Sequence, residues 1–407
     1  MREHGRGSRW SRAAGLWIAL TWGLVACAES EEGPPVDPDP APTLADELGL
    51  SAYLGLVEPA EVSTHNDATV WTFAPEDGPM CMRGRPFQAS FRATESEDLV
   101  VFLQGGGACW SAFCLAVTAA PPGVPRVNLL DPSLPENPVA DWNVLYLPYC
   151  DGSLFVGDRD HDDNGDGQPD RFHRGLWNLS AALSAAREEM PAPRRILLAG
   201  ASAGGFGTVL AVVLVRHVWP DAELMVLSDS GVGVAKDGDP DFVLGLLDEF
   251  NALRFIPADC EGCLDRGHIV SLVAWGLARM PDVRVATFSS WRDKVIAEVF
   301  LEMEPELFEA ALARETDAVH AAFPERYRRF FVQGTMHTTV LGDPSGIIGS
   351  DLRAVELPPG ALNRLSGLIL GRLAETASAD GALRFSAWLR SFVEGDEGWV
   401  DHLDPRD

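Results

Sequence analysis

Basic residues are scarce in this sequence, and lysine is almost absent. The 407 residues include 60 Asp and Glu but only 32 Lys and Arg, which gives a formal net charge of −28. Lys236 and Lys294 are the only lysines. Sequence-independent binding to nucleic acid, and docking on anionic lipid, both need a cationic surface. The composition rules out the first and argues against the second.

Long hydrophobic runs are also lacking, except for one at the N-terminus. Residues 13–26 are apolar and follow four arginines, but the run is shorter than a membrane span needs. It ends Leu-Val-Ala-Cys, which resembles a lipobox whose cysteine, Cys27, would be diacylated and become the mature N-terminus. A plain secretory signal is the alternative. We therefore expect a lipoprotein signal peptide over 1–26 and a location at the bacterial cell surface or in the periplasm.

The stretch after the signal has almost no large apolar residues. Residues 27–42 are rich in Glu, Asp and Pro, and this composition predicts a disordered tether. Removing residues 1–26 takes away four arginines and one glutamate, which brings the net charge to −31. No internal repeat and no second linker follows. The sequence therefore predicts one catalytic domain over residues 43–407.

Six cysteines remain after Cys27, an even number that favours disulfides outside the cytoplasm. Sequence proximity suggests Cys109 with Cys114 and Cys260 with Cys263, which leaves Cys81 with Cys150. Six cysteines allow 15 pairings, so other connectivities stay open. Cys260 and Cys263 could instead be half of a metal or redox site, but no second such motif accompanies them.

Short apolar runs alternate with helical patterns along the chain, which predicts an α/β fold with a mainly parallel sheet. The predicted strands are 99–103, 144–147, 196–199, 224–227, 283–288 and 330–332. The predicted helices are 177–189, 207–218, 242–253, 269–280, 295–312 with a break near Pro305, 362–376 and 382–393.

A nucleophile motif follows the third predicted strand. Residues 200–205 read Gly-Ala-Ser-Ala-Gly-Gly between a strand and a helix, the context of a G-x-S-x-G elbow that exposes a serine. Neither phosphate-loop pattern fits the segment. Ser202 is therefore the candidate nucleophile, and the fold class we expect is α/β-hydrolase-like.

A serine nucleophile needs a base and an acid that orients it. His337 is the histidine that follows a predicted strand at a turn after Ser202, in the chain order usual for this fold. Asp293, two strands after the nucleophile, is the favoured acid. Asp229, which ends the next strand after Ser202, is the alternative acid. If Asp293 is the acid, we expect Asp229 to form hydrogen bonds with the backbone or to line the pocket.

Two backbone N–H groups should stabilise the oxyanion. One is that of Ala203, directly after the nucleophile. The other would come from the glycine loop after the first predicted strand, with Gly106 and Gly107 as candidates because glycine lets a substrate approach the backbone closely.

Several motifs in order resemble the pectin acetylesterase/Notum family. These are Leu-Gln-Gly-Gly-Gly-Ala-Cys at 103–109, Pro-Tyr-Cys-Asp-Gly at 148–152, Gly-Leu-Trp-Asn at 175–178, the elbow at 200–205 and Leu-Ser-Asp-Ser-Gly at 227–231. The resemblance implies an exported carboxylester hydrolase whose triad corresponds to Ser202, Asp293 and His337. It also implies a Cys109–Cys114 disulfide that braces the oxyanion loop. Family members usually carry an aromatic residue near the position of Gly107, so this chain departs from them at the acyl pocket.

An acidic loop stands apart from these motifs. Oxygen-bearing side chains alternate as in a calcium-binding loop, but His173 stands where an EF-hand has Glu. A solvated acidic loop is the alternative. The candidate ligands of a structural Ca²⁺ are Asp160, Asp162, Asn164, Asp166 and Asp170.

The sequence thus predicts a serine carboxylester hydrolase that needs no cofactor for catalysis. Its substrate would be an acylated carbohydrate or small ester, with O-deacetylation of a polysaccharide favoured. The alternatives are an amidase, thioesterase or protein deacylase of the same fold, and a non-catalytic surface binding module with a relic site. We expect a monomer that binds no nucleic acid and meets the membrane only through its lipid anchor.

Overall fold

The computed structural model describes residues 41–260, 262–348 and 372–406. The described strands are β1 Glu61–His65, β2 Ala68–Thr72, β3 Gln88–Arg92, β4 Asp98–Leu103, β5 Gly107–Trp110, β6 Phe113–Ala116, β7 Asn143–Leu147, β8 Arg159–His161, β9 Arg171–His173, β10 Arg195–Ala201, β11 Glu223–Asp229, β12 Arg284–Ser290, β13 Tyr327–Val332 and β14 His402–Leu403. The described α-helices are α1 Leu44–Glu47, α2 Gly175–Glu189, α3 Ala203–Val218, α4 Pro240–Glu249, α5 Val270–Arg279, α6 Pro305–Ala322 and α7 Phe385–Glu394.

Ten of these strands form one sheet in the order β1-β2-β3-β7-β4-β10-β11-β12-β13-β14. From β7 to β14 every neighbouring pair is parallel, whereas β1, β2, β3 and β7 pair antiparallel. The sheet is therefore mixed but mostly parallel, and helices cover it. This confirms the predicted α/β-hydrolase-like class.

The central strands are apolar throughout because both faces of the sheet are covered. Along β4, Leu99, Val101 and Leu103 belong to one hydrophobic core, whereas Val100 and Phe102 belong to the core on the opposite face. All six residues of β4 are buried. The same alternation between two cores continues in β10 and β11.

All six predicted strands are confirmed, with ends that differ by a few residues. The predicted break near Pro305 is also confirmed: a π-helical turn, Val295–Phe300, ends before α6, which has Pro305 as its first residue. The predicted helix 362–376 lies mostly outside the described residues, and 372–376 is not helical. The three antiparallel strands at the start of the sheet, the β5–β6 and β8–β9 hairpins and β14 were not predicted.

The six cysteines after Cys27 form the pairs suggested by their spacing: Cys81–Cys150, Cys109–Cys114 and Cys260–Cys263. Cys109 and Cys114 face each other across the β5–β6 hairpin, so this bond closes the hairpin that follows the glycine loop. None of the helices within the described ranges is long and apolar enough to cross a bilayer. The predicted signal peptide, the lipidation site Cys27 and nearly all of the predicted tether lie outside the described residues.

Candidate active site

Ser202 occupies a sharp turn between β10 and α3. Its backbone angles are φ 54° and ψ −119°, a conformation that residues other than glycine rarely adopt. A side chain on Gly200 would lie 2.1 Å from the carbonyl oxygen of Gly204, and one on Gly204 would lie 2.0 Å from that of Leu103. The two glycines of the motif are therefore required by close backbone contacts. The turn places Ser202 at the N-terminus of α3, where the helix dipole favours negative charge.

Asp293 follows β12 and His337 follows β13, and their side chains are in contact. Nδ1 of His337 lies 2.9 and 2.8 Å from the two carboxylate oxygens of Asp293. Because a carboxylate only accepts hydrogen bonds, Nδ1 is the donor and carries a proton. The N–H groups of Val295 and Ile296 also donate to Asp293, each at 3.0 Å, which holds the carboxylate in place.

His337 and Ser202 line the same cavity, although no hydrogen bond joins these two described side chains. Such bonds are often long before substrate binds. Both His337 and Asp293 are almost fully buried. Burial by itself lowers the pKa of His337, but the charge and the hydrogen bond of Asp293 outweigh it, and the pKa is raised above its ordinary value.

Asp229, the alternative acid, binds backbone rather than the imidazole. Its Oδ2 accepts hydrogen bonds from the N–H groups of Thr339 and Val340, at 2.8 and 2.6 Å. Burial raises the pKa of Asp229 to about 7, and these two hydrogen bonds oppose that rise. Of the two candidate acids, Asp293 is thus the one that contacts His337.

The glycine loop after β4 lies against the elbow. Gly105, Gly106, Gly107 and Ser202 all line the same cavity. Gly105 approaches Ser202 so closely that an added Cβ would lie 2.9 Å from the Cβ of Ser202 and 2.5 Å from the carbonyl oxygen of Ala201. The sequence reading named Gly106 and Gly107 but not Gly105. A run of three glycines does not reveal which one touches the elbow.

Two cavities meet at Ser202. Ser202, His337 and the glycine loop lie in the wall of the first cavity, with Leu115, Val117, Leu341, Ile347 and Ile348 among its apolar residues. Apart from Ser202 and the Trp110 indole, every residue that lines the second cavity is aliphatic, phenylalanine or glycine. Gly107, Ser202 and Phe300 belong to both walls.

Glu249 supports the β5–β6 hairpin and was missed by sequence reasoning. Its carboxylate accepts hydrogen bonds from the backbone N–H and the hydroxyl of Ser111, at 2.6 and 2.9 Å, in the turn between β5 and β6. The same carboxylate pairs at 2.7 Å with Arg171, whose side chain is 3% exposed and also binds Asp163. An ion-pair chain therefore connects the hairpin to the acidic loop. Because Glu249 lies 138 residues from Ser111, no local signal reveals the contact.

In the acidic loop, the predicted calcium ligands are engaged within the protein. Asp160 forms a bidentate pair with Arg174. Asp162 accepts hydrogen bonds from the N–H groups of Gly165, Asp166 and Gly167, and Asn164 from that of Asp166. Asp166 accepts a hydrogen bond from the N–H of Gln168, and Asp170 accepts one from the N–H of Asp163. Of the five predicted ligands, Asp160 fits a cation site least, because an arginine already neutralises it.

Within the described residues, another group of side chains has the composition of a metal site: Asp237, His268 and Glu315. Nδ1 of His268 accepts a hydrogen bond from the N–H of Ala235, so the neutral ring carries its proton on Nε2. That nitrogen faces Asp237 at 3.2 Å as a donor. Arg266 and Arg314 also pair with these carboxylates. The group is therefore an ion-pair cluster.

Comparison with known proteins agrees with the motifs. The family model described as Pectinacetylesterase matches residues 62–238, which include the glycine loop, Ser202 and Asp229 but end before Asp293 and His337. Pectin acetylesterase 4 of Arabidopsis thaliana is 28% identical over 180 residues, which cover 39% of this chain and 42% of that relative. The chain thus spans less than half the length of this curated relative. The predicted similarity to pectin acetylesterases is confirmed over residues 62–238.

The calcium site stays a prediction, and its test is thermal. If Ca²⁺ binds the loop, EDTA should lower the melting temperature of the protein and added Ca²⁺ should restore it, because a ligand that binds only the folded state stabilises it. Asp162→Asn together with Asp166→Asn should remove this response. Asp241→Asn, a carboxylate on α4 outside the loop, serves as control. A melting temperature that EDTA leaves unchanged would reject the site.

Proposed function

We propose that this chain is a serine carboxylester hydrolase in which Ser202 is the nucleophile, His337 the general base and Asp293 its orienting acid. The observation that carries the proposal is the Asp293–His337 pair, because its histidine lines the same cavity as the strained Ser202 turn and the glycine loop. The matched family and the name of the plant relative support ester hydrolysis as the reaction.

The reaction would proceed through an acyl-enzyme. Nε2 of His337 takes the proton of the Ser202 hydroxyl while Oγ forms a bond to the acyl carbon. The N–H groups of Ala203 and of the glycine loop stabilise the resulting oxyanion, with Gly106 and Gly107 as the predicted donors. His337 then protonates the leaving alcohol oxygen. A water molecule, deprotonated by His337, hydrolyses the acyl-enzyme and releases the acid.

Asp293 would act by orientation and charge. It keeps the His337 proton on Nδ1, which leaves Nε2 free to accept the serine proton. Since Asp293 raises the pKa of His337, the base is protonated and inactive in acid. Activity should therefore rise with pH through a value above the ordinary pKa of histidine.

The three roles can be tested by conservative substitution. Ser202→Ala should lower kcat for p-nitrophenyl butyrate by about 10⁴-fold or more, and His337→Gln and Asp293→Asn should each lower it by at least about 10³-fold. Ser184→Ala, at a partly buried serine on α2, is the matched control and should leave kcat unchanged. Undiminished turnover by Ser202→Ala would contradict the proposal, as would a wild-type protein that cleaves no ester of any chain length.

Two acyl groups are candidates for the substrate. The name of the plant relative points to an acetyl ester, and O-deacetylation of a polysaccharide is the proposal that follows from it. The second cavity favours a longer, apolar acyl group. The leaving oxygen must receive a proton from His337, so the alcohol belongs in the cavity that His337 lines. The acyl group would then enter the second cavity, which Ser202 and Ala203 line without His337.

Acyl chain length distinguishes the two candidates. If the second cavity binds the acyl chain, kcat/KM for p-nitrophenyl esters should rise from acetate to octanoate by up to about fourfold per methylene until the cavity is full. Leu246→Trp should lower kcat/KM for octanoate and spare acetate, because Leu246 lines that cavity. Leu244→Trp is the control, since Leu244 lies on the same helix but is 37% exposed. A preference for acetate in all three proteins would favour the deacetylase.

We further propose that the chain is exported and anchored by a lipid at Cys27, with residues 43–407 as the catalytic domain. The basic n-region, the short apolar run and the cysteine at its end support this proposal. The acidic, proline-rich stretch 27–42 would hold the domain away from the membrane.

Metabolic labelling tests the anchor. The full chain, expressed in a bacterium fed an alkyne-tagged palmitate, should carry the label and remain with the membrane fraction. Cys27→Ser should lose both properties, whereas Cys260→Ser, at a cysteine outside the signal, should keep them. Export of wild-type protein without label, in soluble form, would indicate the plain secretory signal instead.

A further inference from the structure

We propose that Asp229 and Ser230, at the end of β11, are positioning residues that hold His337 opposite Ser202 and that the charge of Asp229 tunes this histidine. The inference rests on the proposed roles of Ser202 and His337. It assigns a function to two buried polar residues that the reaction itself does not use.

Asp229 is bonded to both elements of the site. Its backbone carbonyl oxygen accepts a hydrogen bond from the N–H of Ser202 at 2.7 Å. Its carboxylate accepts the N–H groups of Thr339 and Val340, two and three residues after His337. Asp229, Thr339 and Val340 are fully buried, so water does not compete for these bonds. One residue therefore fixes the distance between the nucleophile turn and the loop that carries the base.

Ser230 binds the same loop at His337 itself. Its hydroxyl donates to the backbone carbonyl oxygen of His337, and its own N–H donates at 2.9 Å to the carbonyl of Phe288 in β12. Ser230 has φ 60°, in the left-handed region that residues other than glycine rarely adopt. Such strain persists only where the surroundings enforce it, and here it directs the hydroxyl to the His337 carbonyl.

Together these bonds restrain the backbone at His337, Thr339 and Val340. The position of Nε2 depends on that backbone, because the Asp293 contact restrains only the opposite edge of the ring. A displacement of about 1 Å in a reacting group can cost about 100-fold in rate. A further restraint on the loop is the hydrogen bond from the N–H of His337 to Asp343.

Asp229 also acts through its charge. The charges of His337 and Asp293 both act on the pKa of Asp229, and Asp343, which accepts the N–H of His337, raises the pKa of His337. Burial lowers the pKa of His337, whereas Asp293 and then Asp229 raise it. An ionised Asp229 therefore favours the imidazolium that forms when His337 accepts the serine proton. Because the groups interact, they titrate as a coupled set.

Two substitutions separate geometry from charge. Asp229→Asn keeps a side-chain acceptor but removes the charge, so the acid limb of the pH profile of kcat/KM should move to lower pH and kcat should fall. Ser230→Ala changes no charge, so kcat should fall by about tenfold or more, with KM within about twofold and the acid limb in place. Ser228→Ala is the matched control, because this buried hydroxyl on the same strand bonds Gly205 instead.

A second readout does not depend on turnover. The imidazole of His337 can be titrated by NMR in the Ser202→Ala background, with His337→Gln to assign the signal. Asp229→Asn should lower the pKa of His337, and Ser228→Ala should not. If Asp229→Asn and Ser230→Ala both behave like Ser228→Ala, in rate and in titration, the proposal is wrong.

The outcomes remain distinguishable from a failure of the proposed function. If Asp229→Asn does not fold, as judged by circular dichroism, the Ser230→Ala rates decide. If the wild-type protein cleaves no ester, the esterase proposal fails by itself. The NMR titration then still decides whether Asp229 sets the pKa of His337.

Discussion

The parallel register of five central strands is the constraint on which the rest of the structure depends. Residues Ala201 and Asp229 are partners across β10 and β11, and Ser290 and Val332 are partners across β12 and β13. Parallel strands end at one edge of a sheet, so every loop that follows them emerges on the same side. The glycine loop, the elbow, the Asp229 turn and the segments with Asp293 and His337 converge for this reason alone.

Convergence buries a cluster of polar groups, and each buried polar group needs a hydrogen-bond partner. Asp293 and Asp229 are both fully buried, and both contact the loop that carries His337. The first contacts the imidazole and the second contacts backbone N–H groups. Each carboxylate therefore has hydrogen-bond donors of a different kind. This division separates the favoured acid from the alternative acid, and the roles proposed for Asp293 and Asp229 rest on it.

The reliable predictions were those that depend on local pattern. Buried parallel strands are continuous apolar runs, and a proline inside a helical pattern marks a break, so the six strands and the break at Pro305 could be read directly. Strand β1 could not be, because all five of its residues are exposed and it carries no core pattern. The β5–β6 hairpin could not be predicted because β5 begins within the glycine loop, and β14 has only two residues.

The order of the chemistry along the chain follows from the amino-acid sequence: a glycine loop, a serine elbow, two acids at strand ends and then a histidine. Only folding decides which acid contacts the histidine, that Gly105 packs on the elbow, that Glu249 braces the hairpin, and that two apolar cavities meet at Ser202. The physical reason is distance along the chain. Strand and turn patterns are set by near neighbours, whereas contacts across 44 to 138 residues depend on how the loops pack together.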